Sequence, residues 1–562
     1  LEELKRRMRE GRAEAVNAFF LESTVNLSGG EALVRLGVEG LRWQREMLGV
    51  KPRFAWTIDV CGTHDQMAQI AAGLGLEAMV YTRKNPTGKS VHWAESPDGT
   101  RILALSPGHY SELGFLMAAA DPLTPKQFDD IARHIDDKRK ITPEGAPVLI
   151  LAGSGDYALA PRRKENPREF LNAWNRDGRP EIRFATLSQY FDEVAPLAAS
   201  GRLRIPTMRG GTAYDFNSFW IECPRVKSWF RRNEHALAAA EMLATAASLQ
   251  TAARYPAEDL YRCWLLTFLS MDRNTLWGSA GGMVFEHETS WDVKDRLTWI
   301  EDRARTLAAA SGEALLKAGD GVGLYNPLNW KRSDPMVLPA GQTIEGWPAQ
   351  ALDDGATLCT PELHPCSIAS FRSASKPAPR AVDIALPDAI ETEHYTVRID
   401  PKTGAIASLR LKPGGREMLS GPANTLVAER PKTQRGDPGD FTLDRPERNR
   451  LDSSSAHVHT IRVARGEVAT MVHVEGEFMG ATARRTLRFY RHHPRIDFET
   501  ELNDLPNLTV VVAEFPLAGP VNEVRRGVPY GFSHGAGSKP NPDLHGWTRG
   551  ITPAVRWSHY AV

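Results

Sequence analysis

Cysteine is scarce in this chain: there are five, Cys61, Cys223, Cys263, Cys359 and Cys366, odd in number and scattered. That excludes a disulfide scaffold and a cysteine-based metal site; Cys359 and Cys366 could pair across a short loop, but buried or free thiols are the expected state. Net charge is missing too. Lys plus Arg and Asp plus Glu each total 69, so nothing draws the chain to nucleic acid or a membrane surface, and a neutral ligand such as a sugar is compatible with the balance. No run of about 18 consecutive apolar residues occurs, so no membrane span is expected and the chain reads as soluble, its compartment undetermined. Leu1 opens it without a Met or a secretory signal pattern, and Trp557–Val562 closes it without a terminal signature. A piece of a longer protein, shortened at both ends, is the expectation.

What is present is a change of pattern along 562 residues, too many for one core. Residues 1–205 alternate apolar strand-like runs with amphipathic helical ones, as a parallel α/β domain does. The expected strands are Phe54–Ile58, Ala78–Thr82, Arg101–Leu105, Val148–Ala152 and Ile182–Ala185; the expected helices are Gly30–Leu48, Gln66–Gly73, Pro125–Lys138, Pro167–Trp174 and Leu187–Val194. Residues 206–318 carry three long helical runs, Phe219–Leu249, Pro256–Met271 and Glu286–Ala310, which predict an antiparallel three-helix bundle. Its Trp220, Trp229, Trp264 and Trp291 read as packing residues. Residues 319–562 are rich in β-pattern and turn residues, with a hairpin expected across Pro401-Lys-Thr-Gly404, two paired strands within Arg484–Glu501 and a long loop over Thr433–Ser455. The fold class is thus multidomain, α/β followed by all-α followed by all-β.

The most informative stretch is Arg53-Phe-Ala-Trp-Thr-Ile-Asp-Val-Cys-Gly-Thr-His-Asp-Gln66, an apolar strand that stops at a carboxylate, turns at Gly62 and enters a helix. Thr63 and Gln66 are spaced as a capping box. In a β-α-β unit the carboxyl ends of parallel strands form the ligand-binding edge, so Asp59 is a catalytic candidate, the alternative being a carboxylate that only bonds its own turn. Pro147-Val-Leu-Ile-Leu-Ala-Gly-Ser-Gly-Asp-Tyr157 repeats the device and puts Asp156 on the same edge. Two such carboxylates, about 5 Å apart, are what retaining glycoside hydrolysis requires.

Trp56-x-x-Asp59-x-x-Gly62-x-x-x-Gln66 resembles the signature of glycoside hydrolase family 38, the retaining α-mannosidases. Ser28–Arg35, Asn172–Asn175, Arg183–Phe191, Met208–Tyr214, Gly323–Trp330, Tyr395–Leu409 and Pro494–Glu499 are similar to that family as well. The resemblance implies a barrel-like α/β catalytic domain, a three-helix bundle and C-terminal β-sandwich domains. It further implies that Asp59 is both nucleophile and zinc ligand, that Asp156 is the general acid/base, and that Trp56 and Tyr157 bind sugar. Cys61 stands where the family has Phe, and His64 where it has Ser or Thr.

The implied zinc site is incompletely matched. The family's His-x-Asp strand would precede residue 1, and the one such triplet here, His134-Ile-Asp136, lies in a polar helical run that reads as a solvated face. Ahead of Gly278-Ser279, where the family carries a His-Asp pair, one alignment puts Arg273 and Asn274, the other Met271 and Asp272. Arginine has no lone pair to give a metal, and Met is a poor zinc ligand beside carboxylates. Zinc is what the resemblance implies, with Asp59 as a ligand; the alternative is that Arg273 or Asn274 replaces its contacts to the sugar, the other reading of Arg273 being an ion pair on the bundle surface. The expected function is hydrolysis of an α-mannoside or related α-glycoside with retention. The alternatives are a zinc-independent glycosidase of other specificity and a non-catalytic carbohydrate-binding protein. A carbohydrate is the expected partner, and self-association is left open.

Overall fold

The computed structural model describes residues 1–60, 62–83, 85–110, 112, 124–151, 153, 167–176, 178–213, 223–277, 293–316, 321–430, 432–433, 441–442, 450–506, 509–536 and 558–561. The first part runs α1 (Glu2–Arg9), α2 (Gly30–Leu48), β1 (Phe54–Trp56), β2 (Gly62–Thr63), α3 (Met67–Gly73), β3 (Ala78–Val80), β4 (Val91–Glu95), β5 (Arg101–Leu105), α4 (Pro125–Ile141), α5 (Pro167–Arg176), α6 (Leu187–Ala199), β6 (Thr207–Arg209) and β7 (Thr212–Ala213).

Helix α2 forms because Leu33, Leu36, Gly37, Gly40 and Gln44 recur on one face and are buried there, and it stops where Gly49 adopts the left-handed conformation, φ 73°. That face presses on the segment ahead of it. Gln44 Nε2 donates to the Asn17 carbonyl at 2.6 Å, and the Ala18 N–H donates to the Phe54 carbonyl, laying residues 17–18 alongside β1.

The main sheet has the order β1-β3-β5-β4-β6. β1, β3 and β5 are parallel, and α3 crosses between the first two, so the expected β-α-β unit is present. The sheet as a whole is mixed rather than parallel: β4 is antiparallel to β5 and parallel to β6. The cause is local. Ser96-Pro-Asp-Gly-Thr100 closes a tight hairpin in which Ser96 N–H bonds the Thr100 carbonyl and the Asp98 carboxylate accepts from Thr100; so short a connection can only reverse the chain. The expected strands Val148–Ala152 and Ile182–Ala185 are not strands in the described residues, and among those residues the sheet does not close into a barrel.

The bundle comprises α7 (Pro224–Gln250), α8 (Ala257–Ser270), the short α9 (Arg273–Trp277) and α10 (Val293–Leu315). Leu237, Leu260, Phe268, Leu297 and Ala304 share one hydrophobic core with Leu33, Leu36, Met67 and Ala71 of α2 and α3. Trp264 is buried and Trp229 partly so; Trp220 and Trp291 lie outside the described residues. No described helix is long and apolar enough to cross a membrane.

The remainder is antiparallel β-structure. Val382–Ile384, Thr460–Arg465, Ala469–Phe478, Ala481–Tyr490 and Ile496–Leu502 form a five-stranded sheet. Its Val463, Val472 and Leu487 pack against Ile390, Val397 and Ile406 of a three-stranded sheet, giving two facing layers. The expected hairpins are there: Tyr395–Ile399 pairs with Ile406–Leu411, and Ala481–Tyr490 with Ile496–Leu502. The span expected as a loop contains paired strands instead, Lys432–Thr433 with Phe441–Thr442, and Arg450–Ser453 against Thr425–Glu429.

Candidate active site

The site is built where β1 ends. Phe54 and Ile58 are buried and hold the strand in the sheet, Thr57 N–H bonds the Val80 carbonyl at 2.9 Å, and Asp59 emerges at the carboxyl edge with 14% of its side chain exposed. Arg83, three residues past β3, donates from Nε to Asp59 Oδ1 at 2.7 Å, with Nη2 on the same oxygen. Arg273, the first residue of α9, donates from Nη2 to Asp59 Oδ2 at 3.0 Å. Its Nη1 donates to Glu22 Oε2, and Glu22 Oε1 accepts the Asp59 N–H at 2.8 Å.

Four mostly buried groups of balanced charge therefore close on one another: Asp59 and Glu22, Arg83 and Arg273. Burial pushes the Glu22 carboxyl up from its usual range; the Arg273 charge and the Asp59 N–H oppose that, and the Asp59 and Asp272 carboxylates reinforce it. The backbone backs the arrangement. Thr24 N–H bonds the Met271 carbonyl, Arg273 N–H the Glu22 carbonyl, and Ser23 bridges to Asp272. The buried Arg273 Nε–H has no partner among the described residues.

Of the residues expected from sequence, Asp59 and Arg273 are thus brought into contact, and Arg273 is not on the bundle surface. Trp56 ends β1 half-buried in the core with Phe54 and Val80. Asn274 is exposed on α9. Asp156 and Tyr157 lie outside the described residues, as do Cys61, Gly278 and Ser279. Glu22 and Arg83 were not foreseen. Ala18-Phe-Phe-Leu-Glu22 has the same form as the Asp59 stretch, an apolar run ending in a carboxylate, but it closes the run Leu1–Glu22, whose charged start reads as helical throughout; α1 stops at Arg9.

The capping box does not form. Thr63 is held extended in a two-stranded ladder with Thr212, so α3 begins later, with Gln66 at its N-cap. His64 and Ser96 serve its first turn instead: His64 Nδ1 accepts the Gln66 N–H at 3.2 Å and Ser96 Oγ the Gln69 N–H at 3.0 Å. His134 is likewise not on a solvated face. Its Nε2 meets Glu112 Oε2 at 3.1 Å beside the Lys138 ammonium, whereas Asp136 is exposed and pairs with Arg139.

Among the described residues no three His, Cys, Asp or Glu side chains are grouped to hold a metal ion. At Asp59 both oxygens accept from guanidinium groups, and the carboxylate of Glu22 holds Arg273. Among the described residues this donor set does not fit zinc, because the position a cation would take against Asp59 is filled by positive charge that carries no lone pair.

An α/β domain, then helices, then facing β-sheets is also the fold of two solved structures. An α-mannosidase from Enterococcus faecalis V583 matches 97% of this chain and 71% of its own at TM-score 0.75 and 14% identity. A family 38 glycosyl hydrolase protein from Enterococcus faecalis matches 96% and 70% at TM-score 0.68 and 14% identity. The class these features define is a multidomain glycoside hydrolase fold. Residues 1–207 match the glycosyl hydrolases family 38 N-terminal domain and residues 390–539 the family 38 C-terminal domain, so the chain belongs to glycoside hydrolase family 38. Human alpha-mannosidase 2C1 is 24% identical over 436 residues, 73% of this chain and 38% of the relative; the alpha-mannosidase of Saccharomyces cerevisiae is 24% identical over 290 residues, 49% and 25%. The chain thus spans well under half the length of these curated relatives.

Proposed function

We propose that the whole protein is a retaining glycosidase acting on α-mannosides, with Asp59 as the nucleophile. The observation that carries this is the placement of Asp59 at the carboxyl edge of β1, with Arg83 and Arg273 fixing both oxygens. Two guanidiniums hold that carboxylate in place, and Oδ2, which accepts a single N–H, retains a lone pair for attack. Asp59 forms a bond to the anomeric carbon as the glycosidic bond breaks, and Asp156 gives its proton to the departing oxygen. Water then attacks the glycosyl ester while Asp156 takes the proton back. The charge balance of the four groups suits a neutral sugar over an acidic one.

The test is hydrolysis of an aryl α-mannoside by the full-length protein. Asp59→Asn is expected to lower kcat on the order of 10⁴-fold or more with the fold intact by circular dichroism. Sugar binding without turnover across a panel of aryl glycosides would make the protein a carbohydrate binder instead.

A second reading concerns the metal, and the Arg273–Asp59 contact favours it. The guanidinium stands in for a cation, and its remaining hydrogens donate to sugar hydroxyls. A chelator should then leave turnover unchanged, while Arg273→Met should lower kcat/KM roughly 10²-fold. Stoichiometric zinc in the full-length preparation, with turnover lost on chelation, would refute it.

A further inference from the structure

The strand Glu523–Val528 pairs with Gly531–Ala536 so that Val528 faces Gly531, leaving Pro529-Tyr530 as a two-residue turn. Tyr530 takes φ +60° there. With proline first and a positive φ second, this is a position that favours glycine, and a bulky aromatic residue is strained in it. The ring is nevertheless held in one place. It lies against the start of α2: a Cβ on Gly30 would stand 2.5 Å from its Cε2 and Cζ, and a Cβ on Gly531 would stand 2.6 Å from Nε2 of Gln66. Two glycines, one on each side of the contact, are thus what lets the turn seat between Gly30 and the Asp59–Gln66 segment.

Strained backbone that surrounding structure holds in place marks a residue whose side chain is wanted there. The Tyr530 ring is not consumed by packing: 57% of the residue remains exposed. Burial pushes its hydroxyl above the ordinary range, the Glu31 carboxylate adding to that and the Arg35 charge opposing it, and Glu31 and Arg35, on the first turns of α2, pair with each other at 2.7 Å. What is presented outward is a rigidly held, exposed aromatic ring beside a polar pair, the kind of surface on which the C–H face of a pyranose stacks. Gly30 follows closely on the Glu22–Thr24 segment that contacts Arg273, and Gln66 closes the segment that begins at Asp59.

We infer that Tyr530 is a platform for a second pyranose ring of the substrate, outside the ring attacked by Asp59, so that the β-region selects oligosaccharides over single sugars. This rests on the glycosidase reading above. The experiment compares α-mannosyl fluoride, which has one ring and no aglycone, with an α-linked mannobiose on the full-length protein.

Tyr530→Gly should lower kcat/KM for the disaccharide about tenfold through KM, leave the fluoride within about twofold, and keep or raise Tm, because glycine relieves the turn. Tyr530→Phe should retain the preference. An unchanged ratio between the two substrates overturns the inference, and so does a fall in Tm with both substrates affected equally, which would make the ring structural. Should neither substrate turn over, the glycosidase reading has failed, and calorimetric titration with an α-linked mannotriose decides the platform alone: about tenfold weaker binding by Tyr530→Gly supports it, and equal or absent binding overturns it.

Discussion

His64 and His92 show how single residues set the acid limit of this fold. His64 is 3% exposed and its Nδ1 accepts the Gln66 N–H, which puts its proton on Nε2, where no described group receives it. His92 is fully buried between the Tyr81 hydroxyl at 2.7 Å and the Lys89 carbonyl at 3.2 Å. Burial depresses both, His64 to about 3 and His92 to about 4. A depressed folded-state pKa means that the unfolded chain takes up protons the folded one refuses, so stability is complete above about pH 6.5 and lost as pH falls toward those values. Urea midpoints at pH 7 and pH 4.5 should differ, and His64→Asn, which keeps an acceptor for the Gln66 N–H, should remove roughly 2 kcal/mol of that loss. Parallel pH profiles for the two proteins would refute the assignment. At this scale Asp59 was legible because one strand and one turn place it. Glu22 and Arg83 were not, because nothing within a few residues of either encodes a partner 37 or 24 positions away.

Elements were legible wherever an apolar pattern runs through them without interruption. Gly30–Leu48 and Arg101–Leu105 have the expected bounds, and the helices Pro125–Ile141 and Leu187–Ala199 differ from expectation only at their ends. The misses are short strands. Val91–Glu95 sets His92 and Glu95 among its apolar residues and Thr207–Arg209 has too few residues to declare a period, whereas the apolar run at Val148 looks like a buried strand yet is not paired as one among the described residues. Tertiary contact decides in such cases, and α2 gives a direct example. Gly40 sits mid-helix, where alanine would ordinarily gain about 1 kcal/mol. A Cβ there would lie 2.2 Å from the Ala18 carbonyl oxygen and 2.5 Å from the Phe20 nitrogen, in the segment that carries Glu22 to Asp59. Gly40→Ala is therefore expected to destabilise by a net of about 2 kcal/mol, read from the urea midpoint. A neutral or stabilising result would mean that the segment yields at little cost, and that α2 does not fix Glu22.

The order α/β, helices, β was legible over the whole molecule because each part has its own period, but the joints between parts have none. Beside the shared apolar core, buried polar contacts make those joints among the described residues, and each unites residues far apart in sequence. Arg273 ties the bundle to Glu22 and Asp59. Glu234 of α7 does the same from the other side: its carboxylate accepts the Gly29 N–H at 2.9 and 3.3 Å and pairs with Arg231, with 5% of its side chain exposed. An acid at the start of α2 also meets the positive end of that helix, and Gly30, the next residue, carries the Tyr530 ring. One carboxylate thus anchors the point where all three regions meet. Glu234→Ala should cost about 3 kcal/mol, since it removes the acceptor of a buried N–H and one member of a buried ion pair, and Glu234→Gln, which keeps an acceptor, should cost about half as much. If the joint couples the regions, the alanine variant should also broaden thermal unfolding or split it into separate steps by calorimetry. A single sharp transition at an unchanged Tm would show that the shared apolar core alone holds α2 to the bundle.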